Sequence, residues 1–111
     1  MATAPPQKSE WLIVVHDLPD TADRRRELLP KHGEDRKNDP AGFWVFGGAL
    51  LDEPALAGKP ISMTGSCMLA YAESKEEILE RLERDVLVTG KVWDWEKLQV
   101  YPFWRPARPS I

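Results

Sequence analysis

The sequence predicts an α+β fold with the element order β-α-β-β-α-β, a ferredoxin-like protomer in which two helices back an antiparallel sheet. Three observations carry that expectation. The short apolar run Trp11-Leu-Ile-Val-Val-His16 has the length and β-branched content of a buried strand. Residues 61–72 alternate between two unlike faces, Ile61, Met63, Cys67, Leu69 and Tyr71 on one and Ser62, Thr64, Ser66, Met68 and Ala70 on the other. Ser74 followed by Glu77 is a capping box, and Ile78, Leu79, Leu82 and Val86 then mark one helical stripe.

The remaining elements fall between these. A second strand, Phe43–Leu51, starts after Asp39-Pro-Ala-Gly42, and the Pro- and Gly-bearing stretch 52–60 reads as a loop. A first helix over Asp20–Asn38 carries Leu28 and Leu29 in a densely charged segment, and Pro30 is expected to kink or restart it. Trp95–Tyr101 is the last strand, with Leu98 and Val100 on one face. The proline-rich stretch from Pro102 onward cannot be a central strand. The expected organisation is one domain over 10–103 with loose tails at 1–9 and 104–111.

Composition narrows the function classes. A chain of 111 residues fits one domain, and 42% apolar residues suffice for a core. A net charge of −3 argues against binding to duplex nucleic acid, which calls for a basic face. The single cysteine excludes an internal disulfide framework and a multi-cysteine zinc site. No apolar run approaches the roughly 20 residues that span a bilayer, so no membrane partner is expected. Residues 1–9 carry no apolar run resembling a secretory signal, which points to a cytoplasmic location.

Chemistry is sought first at Asp85 and His32. Asp85 follows Leu82 by three residues and Ile78 by seven, so it shares the inward stripe if the helix persists; a frayed, exposed end is the alternative. His32 lies four residues after Leu28, on one side of the first helix. A carboxylate accepting its ring N–H would fix the tautomer and leave the other nitrogen as a base, while a satisfied structural histidine is the plainer reading. His16 ends a strand and is expected to make a strand-end hydrogen bond. Cys67 falls on the apolar strand face and reads as a small hydrophobe. No paired-cysteine or His-Glu-x-x-His motif is present, so no metal is expected. Gly47-Gly48 suits a close backbone approach or a bulge, and Ser66 offers a hydroxyl on the more polar face of its strand. Arg24-Arg25-Arg26 sits near a helix start, where cations oppose the macrodipole; an anionic substrate would justify one inward guanidinium. Trp44, Trp93 and Trp95 are expected in the core or a subunit interface.

Together these segments resemble the YCII-related family of the dimeric α+β barrel type. The shared features are the strand ending in Asp17-Leu-Pro-Asp20 and the segment Arg26-Glu-Leu-Leu-Pro30-Lys-His32. They continue with the Gly47-Gly48 strand, the Gly65-Ser66 strand, the helix start at Ser74 and Asp85. The match runs from about Glu10 to Phe103, and Gly42–Pro54 and Trp93–Lys97 resemble fungal members. The resemblance implies a protomer pairing sheet against sheet and a His32–Asp85 pair in a cleft. Gly33 departs from the family's hydrophobic position after the histidine. The expectation is thus a small cofactor-independent lyase or isomerase, His32 and Asp85 catalytic, with Arg26, Ser66 and Gly48 binding the substrate. A non-catalytic dimeric small-ligand module, and a haem- or metal-dependent barrel, are the alternatives. The homodimer is expected through the sheet face carrying Ser62, Thr64, Ser66 and Met68, since an apolar sheet face left bare is unusual.

Overall fold

Four strands form one antiparallel sheet: β1 (Ser9–His16), β2 (Trp44–Leu51), β3 (Met63–Ala72) and β4 (Gln99–Phe103), in the order β2-β3-β1-β4. The structure is a computed structural model that describes residues 7–106. Of the tails expected over 1–9 and 104–111, residues 1–6 and 107–111 lie outside the described residues, and Ser9 already belongs to β1. The apolar run around Ile13 occupies the sheet interior because β1 is bonded on both sides, with Ile13 opposite Met68 of β3 and Val100 of β4. β4 is an edge strand, which is why Pro102 is tolerated opposite Trp11.

The connections are helices α1 (Ala22–Lys37), α2 (Lys75–Glu83) and α3 (Val86–Thr89). The capping box of α2 is present, with Ser74 Oγ accepting from the Glu77 amide at 3.2 Å and Glu77 accepting from the Glu73 amide at 2.9 Å. Ile78 and Leu82 reach the core against Ile13, Val15, Met68, Ala70 and Ala72, joined by Leu87, Val92 and Trp93. The element order and sheet topology are those of the ferredoxin-like α+β protomer. Among the described residues no helix is long and apolar enough to cross a membrane.

Four local expectations are corrected. The inward stripe ends at Glu83: Asp85 adopts extended backbone and N-caps the separate helix α3, its carboxylate accepting from the Leu87 amide at 2.9 Å. Trp95–Lys97 is a 3₁₀ turn, so the last strand begins only at Gln99. Helix α1 runs unbroken through Pro30; that residue forfeits one ladder bond, but side chains buried on either side of it, Arg25 and His32, anchor the helix to the body.

The fourth correction concerns the sheet faces. Ser66 and Met68 are buried under the helices, so the face carrying them cannot pair with another subunit. The opposite face is the open one. It carries Leu12 and Val14 of β1, Phe46 of β2, Cys67 and Tyr71 of β3, and Tyr101 and Phe103 of β4. The small side chains on the face of Ser66 and Ala70 allow helices and indoles to approach the strand.

Two glycines separate close approach from mere permissiveness. A Cβ on Gly65 would stand 2.5 Å from the Val15 carbonyl oxygen, whereas one on Gly33 would meet nothing within 4 Å. Gly65→Ala is expected to lower stability by about 1–3 kcal/mol through overpacking. Gly33→Ala is expected to raise it by about 0.4–1 kcal/mol through the unfolded chain. Urea midpoints at constant slope check both, and a stabilised Gly65→Ala would contradict the packing account.

Candidate active site

Helix α1 presents Arg25, Leu29, His32 and Arg36 toward the sheet, a spacing of four, three and four that keeps them on one helical face. Opposite them lie Gly47 and Gly48 of β2, and Ser66 and Met68 of β3, enclosing a cleft of about 240 Å³. Cα pairing places β2 directly beside β3 here, with Gly47 opposite Met68 and Ala49 opposite Ser66.

At the inner wall His32 Nδ1 lies 2.8 and 3.0 Å from the two oxygens of Asp85. Asp85 is 1% exposed and His32 9%. That contact spends Nδ1, so Nε2 is the ring nitrogen left for the cleft. The His32 ring also meets Trp93 edge to face at 5.7 Å between centroids, which limits its rotation. Behind Asp85 the network continues: Arg81 Nη1 donates to Asp85 at 3.2 Å and its Nε to Asp39 at 2.8 Å, while Trp44 Nε1 donates to Asp39 at 2.7 Å.

Burial alone would push the Asp85 carboxyl up. The hydrogen bond and charge of His32, the Leu87 amide and the Arg81 charge together outweigh it, and hold the group below the ordinary carboxylate range. Asp85 is therefore an anion at neutral pH and can stabilise an imidazolium beside it.

The second anchor is Arg25, 2% exposed, which donates to both oxygens of Asp17 at 2.7 and 2.9 Å and to Ser66 Oγ at 2.7 Å. Ser66 Oγ also accepts from Trp93 Nε1 at 3.1 Å. With both lone-pair directions occupied, the hydroxyl retains its own hydrogen as a donor.

The structure brings His32, Asp85 and Ser66 together but not Arg26. Arg26 is solvent-exposed and paired with Asp23 at 3.1 Å; the inward guanidinium of the arginine triplet is Arg25. The readable signal was spacing: Arg25 precedes His32 by seven residues and shares its helical face, while Arg26 is rotated away. Gly48 lines the cleft through its backbone only, since a Cβ there would meet nothing within 4 Å. Gly47 is the tighter position, where a Cβ would stand 2.5 Å from Arg36 Nη1. His16 is exposed; its carbonyl accepts from the Asp94 amide at 2.8 Å. Among the described residues no group of three or more His, Cys, Asp or Glu side chains is arranged to hold a metal ion.

Comparison with known proteins places this fold and cleft in context. No protein-family model matches the chain. It is 36% identical over 95 residues to Fusaric acid biosynthesis protein 2 of Gibberella fujikuroi, a match covering 85% of this chain and 91% of that one. It is 30% identical to Xenovulene A biosynthesis cluster protein asL2 of Sarocladium schorii, over 97% of this chain and 98% of the other. In solved structures the fold resembles 5-chloro-2-hydroxyhydroquinone dehydrochlorinase (TftG) of Burkholderia phenoliruptrix AC1100, solved in complex with 2,5-dihydroxybenzoquinone. That likeness has a TM-score of 0.70 at 25% identity, covering 86% of this chain and 93% of the other. The protomer thus has the fold used by dimeric α+β barrels. The chain belongs to the family of small fungal biosynthesis-cluster proteins that includes Fusaric acid biosynthesis protein 2.

Because the Asp85 carboxyl is depressed in the folded state, it contributes stability that is present above the unfolded carboxyl value near ~3.9 and lost as pH falls through the folded value. Asp85→Asn should cost about 1–3 kcal/mol at pH 7. It should also flatten the fall in stability below about pH 4. Urea unfolding between pH 2.5 and 7 measures both, and parallel acid limbs in the two proteins would show that Asp85 is not the depressed group.

Proposed function

We propose that this protein is a small cofactor-independent acid–base enzyme, a lyase or isomerase acting on a small aromatic or enolisable metabolite. The observation that supports it best is the bonding of His32 Nδ1 to a buried, ionised Asp85, which leaves Nε2 toward the cleft. In this reading His32 Nε2 takes a proton from a carbon next to a carbonyl, and the C–H electron pair moves onto the carbonyl oxygen. Ser66 donates its hydroxyl hydrogen to that oxygen, in the manner of an oxyanion donor. The enolate then either recovers a proton from the imidazolium at a different carbon or expels an anionic leaving group; the first outcome is isomerisation, the second elimination. Asp85 keeps the tautomer that exposes a lone pair on Nε2 and stabilises the imidazolium formed in between.

The dehydrochlorinase fold and the biosynthesis-cluster relatives favour the same class of chemistry and of substrate. 2,5-Dihydroxybenzoquinone is accordingly the first ligand to test, and 5-chloro-2-hydroxyhydroquinone the first trial substrate, with chloride release as readout. His32→Gln and Asp85→Asn should each lower turnover about 10²–10⁴-fold, the usual worth of a placed general base or its orienting group. Turnover that survives His32→Gln would remove the base. Tight binding of the quinone by the wild type without turnover of any related substrate would favour the non-catalytic ligand module instead.

The open sheet face is the natural place for a second copy, because Phe46, beside β3, is 47% exposed and Tyr101, beside Leu12 of β1, is 46% exposed. In this reading two protomers pair open face to open face as a barrel. Light scattering should then give twice the 12.6 kDa chain mass, and Phe46→Glu should shift it toward one chain. A single-chain mass for the wild type at micromolar concentration would dispose of the pairing.

A further inference from the structure

Among the described residues, the Arg36 guanidinium in the cleft has no hydrogen-bonded carboxylate of its own. Each buried carboxylate has its guanidinium: Asp17 holds Arg25, Asp39 holds Arg81, and Asp85 is shared by His32 and Arg81. Arg36 lies one helical turn beyond His32 and also lines the cleft, yet among the described residues its guanidinium makes neither a hydrogen bond nor an ion pair. It is nevertheless held in place. Its plane lies over the Trp44 ring at 4.7 Å from the centroid, and it rests on Gly47, where even a methyl group would collide with it.

From this arrangement we infer that Arg36 is the receptor for an ionised oxygen of the ligand, a carboxylate, phenolate or enolate presented beside His32. The inference rests on the small-molecule cleft described above and names the charge its occupant carries. Desolvation supports it. Burial lowers the Arg36 pKa, Asp85 counters this, the nearby Arg81 charge adds to the lowering, and Asp39 opposes it. A half-buried guanidinium with no carboxylate in hydrogen-bond reach carries a desolvation cost that an entering anion offsets. The planar fork suits a bidentate oxygen pair, and the absence of a side chain at Gly47 is what lets it lie flat at the cleft wall.

The probes are 2,5-dihydroxybenzoquinone, which ionises, and its dimethyl ether, which does not. By calorimetry the wild type should prefer the anion, and Arg36→Gln should weaken anion binding about 10–100-fold, the worth of a charge-assisted hydrogen bond, while leaving the ether within about threefold. Arg36→Lys should recover part of the loss. Should Arg36→Gln fail to fold, phenylglyoxal labelling of the wild type replaces it: the anion should protect Arg36, mapped by mass spectrometry, but not the exposed Arg24 and Arg26. Equal affinity for both probes, an Arg36→Gln protein that binds the anion as well as wild type, or labelling of Arg36 indifferent to the anion would each overturn the inference. So would a wild type that binds neither probe below millimolar concentration. His32→Gln separates this from the catalytic reading, since it should lose turnover and keep Arg36-dependent binding.

Discussion

The arrangement depends on how helix α1 is held against the sheet. The buried residues of this helix are Arg25 and His32, not an apolar stripe; Leu28 and Leu29 are only half-buried. The side chains it buries are those of the Arg25–Asp17 and His32–Asp85 contacts, with Leu28 packed against the core beside them. Such contacts are weak sources of net stability, because desolvating both partners offsets most of their attraction, but removing Asp17 would strand the buried Arg25 charge at about 3–5 kcal/mol. The helix is consequently specified more than it is stabilised. Its rotation about its own axis is fixed by two side chains seven residues apart, and Arg36 is carried to the cleft wall as a result.

The strand beneath supplies the complementary condition. β3 places Ser66, Ala70 and Ala72 beside Met68 on its helix-covered face, and this shallow relief lets Trp93 come close enough to donate to Ser66. One hydroxyl thereby joins the Arg25 anchor to the indole that meets the His32 ring. Packing and polar satisfaction are here the same contacts. A methyl in place of that hydroxyl would leave Trp93 Nε1 without its acceptor and Arg25 with one bond fewer, both in buried surroundings.

Much of this was legible in the sequence. The apolar run of β1, the alternation of β3 and the capping box of α2 are short-range signals, and each gave its element. The His32–Asp85 meeting was legible in part: spacing put each on an inward face and suggested the pair, and the family resemblance strengthened it. What spacing could not show was that Asp85 leaves α2 to cap α3, because one carboxylate does both and only the tertiary contact decides between helix continuation and a cap. Arg25 and Arg26 are adjacent, and in a helix without an apolar stripe only the seven-residue spacing to His32 separates the inward one from the outward one. The sheet faces were misassigned for a related reason. Alternation says that two faces differ, and not which one the helices cover; Ser66 and Met68 went inward because buried donors satisfy the hydroxyl.

The same polar docking that limits stability is what makes the cleft suited to chemistry. An apolar helix face would pack as well or better, and would leave no group able to move a proton. Here each anchor also has an unused end. His32 spends Nδ1 on Asp85 and keeps Nε2; Ser66 accepts twice and keeps its hydrogen; Arg36 is fixed by Trp44 and Gly47 through its ring-like plane and keeps its donors. Since the fixed end of each group is buried and the unused end faces the cleft, little reorganisation is needed when a ligand arrives. The field there is also directional. Asp39 and Asp85 lie behind the cleft wall with Arg81 bonded to both, while the Arg36 guanidinium lines the wall itself, so positive charge stands on the side a ligand meets. That asymmetry arises in a chain whose net charge is negative, and so it comes from placement rather than composition.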